Sequence, residues 1–238
     1  MTQQIVDGLI QRVATIRNSA ASDKARLIAA NPSWDPRRDA RLTCLTKLVN
    51  VLNSVQLGLT FISKHLLNDT WWDVIATRPI PNSDRAIYST EFHNFVKVGF
   101  VQTLFSSVCE SSFRILLRSI DPVACDGGKA DFKSVYECLL KSKLTSALPD
   151  ACSMLDLLRL VRNTIHNNGV YIPRDGRDAA VTYKGTTYRF RTAREVDFVQ
   201  WDLLIELADA VRQLLAHVVA DKAVSSISGQ IPDPPART

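Results

Sequence analysis

Apolar residues recur every three or four positions along almost all of the 238-residue chain, and that spacing commits it to helices packed on helices. Ile5, Leu9, Val13, Ile16, Leu27 and Ile28 predict a helix over 3–29, which Asn31-Pro32-Ser33-Trp34-Asp35-Pro36 breaks. Leu42, Leu45, Leu48, Leu52, Val55 and Leu59 form the stripe of a second helix over 39–67, which Asp69-Thr70-Trp71-Trp72 continues or caps. Pro79 and Pro81 then force a loop. A third helix over 90–120 buries Phe92, Phe95, Val98, Val101, Phe105, Val108, Phe113 and Leu116. Asp121-Pro122 ends it, and Asp126-Gly127-Gly128 reads as a loop. Further helices are expected over 131–144, over 150–167 with Asp150 as N-cap and Gly169 as the left-handed terminator, and over 195–224.

Only one stretch carries a β pattern. Val181-Thr182-Tyr183 and Thr186-Thr187-Tyr188-Arg189-Phe190 flank Lys184-Gly185, a two-residue turn of hairpin type, and Val170-Tyr171-Ile172 can add a short strand. The expected fold class is therefore all-α: a helical bundle with a small β-hairpin inserted before the last helix. It is expected to form a single domain over 1–224, with a disordered tail over 225–238 that contains Pro232, Pro234 and Pro235.

Composition narrows the class. With 46% hydrophobic and 22% charged residues, the chain has enough apolar material to exclude disorder over its length. A net charge of +5 suits an anionic partner and ordinary solubility alike. Cys44, Cys109, Cys125, Cys138 and Cys152 are odd in number and widely spaced, without a CxxC pair. They read as reduced thiols of a cytoplasmic protein, not as a disulfide framework or a zinc site. The first residues carry neither a basic stretch nor an apolar one, and the longest apolar candidate, 96–117, is interrupted by Lys97, Glu110 and Arg114. No membrane association is expected.

Common catalytic signatures are missing. There is no GxxxxGK[ST], GxGxxG, HExxH or GxSxG, and His65, His93, His166 and His217 are far apart in sequence. No metal and no cofactor is expected. What stands out is Arg159-Leu160-Val161-Arg162-Asn163-Thr164-Ile165-His166-Asn167-Asn168-Gly169. On a helix with Arg159 at zero, Asn163 falls at about 40°, Asp156 at about 60°, His166 at about 340° and Arg162 at about 300°. Two guanidiniums, an amide and an imidazole thus share one polar face, while Met154, Leu157, Leu158, Leu160, Val161 and Ile165 take the other. Arginine offers planar donors to phosphate oxygens and histidine exchanges a proton near neutrality, the combination that phosphodiester chemistry needs.

The run from Arg162 to Gly169, at the end of a late helix in an all-α chain, resembles the signature of the HEPN superfamily, an Arg with a His a few residues on. Three residues separate Arg162 from His166, and six separate Arg159 from it. The resemblance implies a metal-independent endoribonuclease of the kind found in toxin–antitoxin and phage-defence systems. It implies a homodimer, RNA as substrate, and a protein partner such as an antitoxin. It also implies catalytic roles for Arg159, Arg162, Asn163 and His166, with His166 moving the proton and the arginines holding the phosphorane-like charge.

Other readings stay open. The same fold can serve as a non-catalytic RNA- or nucleotide-binding module or as a protein-interaction module, and the polar face can be simply a solvated surface with Asp156 paired to Arg159. A second Arg–His pair, Arg212 and His217, sits among apolar residues and reads as packing or surface. Arg37, Arg38 and Arg41 at a loop–helix junction, and Arg189 and Arg191 at the hairpin, are the candidate backbone contacts to RNA, with Tyr183 and Tyr188 nearby for stacking. Trp71 and Trp72 read as core or dimer interface.

Overall fold

The protein is described by a computed structural model that places residues 2–75 and 77–234. It is a helical bundle with one two-stranded antiparallel sheet. Helix α1 spans Gln3–Ala30, with Thr2 as its N-cap. The break at 31–39 is followed by α2, Ala40–Phe61, which runs on as a π-helical turn, Ile62–Leu66. Leu42, Leu45, Leu48, Leu52, Val55 and Leu59, all but inaccessible to solvent, pack α2 against α1 and against the helices over 82–103, 111–120 and 201–220, and make it the centre of the bundle. Each such side chain contributes about 1.5–3 kcal/mol by leaving water. The unit 40–66, rather than 96–117, is also the one segment among the described residues long and apolar enough to cross a membrane.

Helix α3, Asp69–Ile75, stands alone and does not extend its predecessor; Trp72 anchors it, donating its indole N–H to Leu66 O at 3.0 Å. Helix α4, Asn82–Thr103, starts eight residues earlier than expected, because Pro81 bounds it rather than the polar run after it. A π-helical turn, Leu104–Glu110, joins it to α5, Ser111–Ile120. After the single turn α6, Ala124–Gly128, whose residues 125–127 are left-handed, comes α7, Phe132–Cys138, with its own π-helical extension, Leu139–Lys143. Helix α8, Ala151–Ile165, follows. Asp150 precedes it in the left-handed region and makes no side-chain cap bond, which corrects its expected role. Gly169, at φ 86°, ends the turn after α8 as the sequence requires, its N–H reaching Thr164 O at 2.9 Å.

The hairpin has β1, Ala179–Tyr183, paired with β2, Thr186–Phe190. Lys184 and Gly185 both take positive φ, the tight turn whose twist matches the strands. Residues 170–172 form no strand of their own; a single bridge joins Val170 to Glu195. That pairing also holds 195–200 out of the last long helix, so α9 begins at Trp201 and runs to Ala220, and α10, Lys222–Ser225, follows Asp221.

The tail after α10 corrects a further expectation. Residues 226–234 lie along the bundle, anchored at two buried positions, and 235–238 lie outside the described residues. Ile231 and Asp233 are buried, and Ala40 N–H donates to Ile231 O at 2.8 Å. Thr43 and Lys47 bind the Asp233 carboxylate at 2.5 and 2.7 Å. All five cysteines are free thiols, Cys44 and Cys109 buried and the others half-buried; burial pushes the Cys44 thiol up to about 12.

Candidate nucleic-acid site

Helix α8 is held by its apolar side. Met154, Leu155, Leu157, Leu158, Leu160 and Val161 are buried against α4, α7, α9 and β1. Leu155, which the helical wheel places on the polar side, is buried with them. The remaining face opens into a cleft of about 550 Å³, whose lining includes Arg159, Arg162, Asn163 and His166 together. The sequence-predicted catalytic set therefore shares one space. Asn167, Tyr171, Ile172, Pro173 and Arg174 complete the lining. Those five escaped sequence reasoning apart from the helix-end role of Asn167, because they approach α8 only once the hairpin has folded. Among the described residues, no carboxylate lines the cleft.

The two arginines differ in support. Arg159 donates to Asp156 Oδ1 at 3.0 Å, and Tyr136 on α7 donates to the same oxygen at 2.7 Å. Lys133 stands 3.7 Å from it. Burial and the bond to Asp156 hold the Tyr136 phenol far above its ordinary value, so it stays protonated and remains a donor. For Arg159, burial opposes the charge, but Asp156 and Tyr136 more than offset it and raise its pKa. Among the described residues, no carboxylate pairs with Arg162. Its Nη1 donates to Asn163 Oδ1 at 3.3 Å, and its guanidinium carbon lies 5.4 Å from the centre of the Phe105 ring, in the π-helical turn 104–110. The Nε atoms of both arginines are buried without a hydrogen-bond partner. Such donors are costly unless something accepts from them. Asn167 Nδ2 donates to Asn163 O at 3.1 Å, which steadies the helix end. His166 is exposed in the turn after α8, with no side-chain hydrogen bond among the described residues.

No family model, curated protein or solved structure matches the chain.

The other candidate contacts lie outside the cleft. Arg37 and Arg38 are exposed. Arg41 corrects its expected role: it is fully buried, clamped to Asp39 by bonds of 2.9 and 2.6 Å, stacked 3.9 Å from the Trp34 ring centre, and bonded to Ile227 O and Gly229 O. It is a structural cation and unavailable to RNA. Arg189 and Arg191 are exposed, but the stacking surfaces expected beside them are taken: Tyr183 is buried and Tyr188 packs on Phe198 at 5.1 Å. Arg212 is engaged by Asp23 and Asp209, and His217 meets Ser146 Oγ at 2.8 Å, which agrees with a packing role. Among the described residues, no three His, Cys, Asp or Glu side chains gather as a metal site.

Proposed function

We propose that the α8 cleft binds RNA and cleaves its phosphodiester backbone without a metal, in the manner of the HEPN ribonucleases that the Arg162–Gly169 run resembles. The observation that carries this reading is a cleft lined by three arginines and a histidine with no carboxylate among the lining residues, Arg162 and Arg174 making no ion pair among the described residues. A phosphate in the cleft supplies the counter-charge that those two guanidiniums lack. In the reaction, the ribose 2′-oxygen loses its proton and attacks phosphorus, the P–O5′ bond breaks, and the 5′-oxygen takes up a proton. The products are a 2′,3′-cyclic phosphate and a 5′-hydroxyl. His166 carries one of the two proton transfers, Arg162 and Arg159 hold the charge that builds on the phosphate oxygens, and Asn163 orients Arg162.

The family resemblance extends the proposal to a homodimer, in which a second copy brings a second histidine for the other transfer. It further extends to a cytoplasmic role in defence or toxin–antitoxin regulation. A test is incubation of the pure protein with RNA and with the matching DNA strand in EDTA. Cleavage of RNA alone, leaving cyclic phosphate ends, is expected; cleavage only with added metal, or equal cleavage of DNA, refutes the proposal. A second reading, RNA binding without cleavage, is favoured by one observation: among the described residues no side chain or backbone group bonds to the His166 ring to fix its tautomer. It predicts salt-sensitive binding with intact RNA.

A further inference from the structure

Opposite α8, the cleft has a second wall of different chemistry. Tyr171 is locked in place: its N–H donates to Arg194 O at 3.0 Å, its C=O accepts from Ala193 N–H at 2.8 Å, and its ring packs 5.4 Å from Phe190 at the end of β2. The next residues are thereby fixed in the lining of the cleft that they share with Arg162. Ile172 is 60% exposed, although it is a large aliphatic side chain beside a cationic cleft. Pro173 follows, and a tight turn closed by Gly176 N–H on Pro173 O at 3.3 Å presents Arg174, which makes no ion pair among the described residues. One wall is thus cationic, the other apolar with a free guanidinium at its end, and the hairpin serves to hold the second wall against the first.

We infer that the 172–174 wall is a nucleotide subsite, with the base lying on Ile172 and Pro173 and Arg174 taking the phosphate next to the scissile one, so that the cleft accepts an unpaired RNA strand and excludes a duplex. This rests on the ribonuclease reading. A cleft of about 550 Å³ has the size of an ordinary small-ligand site and holds a nucleotide unit rather than a double helix. A base within a duplex has both faces covered by its neighbours, so it reaches an apolar wall only when splayed out of the stack.

The test compares an unstructured 12-nucleotide RNA with the same strand in a blunt duplex, in EDTA, for the wild type and the variants Ile172→Ser and Arg174→Ala. The single strand is expected to be cut at least about 10-fold faster in kcat/KM. Each variant raises KM roughly 5- to 10-fold with kcat within about twofold, and Arg174→Ala lowers the salt slope of binding by about one. Both side chains are exposed on a turn, so folding is not at stake. Equal cleavage of strand and duplex, or unchanged KM in both variants, overturns the inference and leaves the ribonuclease reading intact. A wild type that neither binds nor cuts either RNA overturns both.

Discussion

Arg41 and Arg162 are the same residue type in two basic runs of the sequence, yet the fold treats them in opposite ways. Arg41 is fully buried, with a bidentate carboxylate, two carbonyl oxygens and a tryptophan face around it. Arg162 is half-buried with one amide oxygen at 3.3 Å and a buried, unmatched Nε. A cation with four of its five donors met within the chain serves the fold; one with fewer acceptors is free to meet a ligand. What separates them is the supply of acceptors. Asp39 and the 227–233 segment converge on Arg41, whereas Asp156, the carboxylate on the α8 face, is taken by Arg159 and Tyr136.

The comparison can be broken at either end. The largest effect belongs to Arg41→Ala, which strands Asp39 without its counter-ion in the interior. It is expected to cost about 3–5 kcal/mol in urea denaturation, as broken buried pairs do. A cost below about 1 kcal/mol would place Arg41 among ordinary surface cations. Removing the chain beyond Ser226 takes away two of the Arg41 acceptors and the burial of Ile231, for an expected loss of about 2–3 kcal/mol. An unchanged melting curve contradicts the packed tail.

A third region sharpens the same point through pH. His93 on α4 accepts the Trp201 indole N–H and feels the charge of Lys97. Burial first, and then the Lys97 charge, lower its pKa from 6.5 to about 4. The unfolded chain then binds a proton between those values that the folded chain refuses. The stability this site contributes is present above pH 6.5 and is lost as pH falls towards 4. For a half-exposed ring screened by solvent, the loss is expected to be about 1 kcal/mol, and His93→Gln should remove it from the pH profile of thermal unfolding. The smallest stability effect is expected at the site itself. Arg162→Ala should shift unfolding by less than about 0.5 kcal/mol while weakening RNA binding about 10-fold. A destabilisation of several kcal/mol would instead make Arg162 a second Arg41.

Much of the architecture was legible because helix period and turn chemistry are local. The ends of α1, the length of the 40–66 unit and the Lys184-Gly185 turn follow from the stripe of leucines, the prolines and the paired β-branched residues. Non-local contacts decided the rest. Residues 195–200 have helical character in sequence, but Val196 N–H is drawn to Gly169 O. The proline-rich tail carries few local signals for order, and it is Arg41, Thr43 and Lys47 that pin it. The α8 half of the cleft could be read from a helical wheel, since Arg159, Arg162, Asn163 and His166 lie on one helix. The facing wall could not, because Ile172 and Arg174 reach it through the hairpin. Arg41 misled because basic spacing alone does not show which carboxylates will meet it.

The proposed chemistry of the α8 cleft on RNA is tested most directly at His166. The rate of RNA cleavage in EDTA should be measured for the wild type and for His166→Ala, with thermal unfolding of both as a control for folding. The variant is expected to lose about 100-fold or more in rate at an unchanged melting temperature. Cleavage by the variant at the wild-type rate would contradict it.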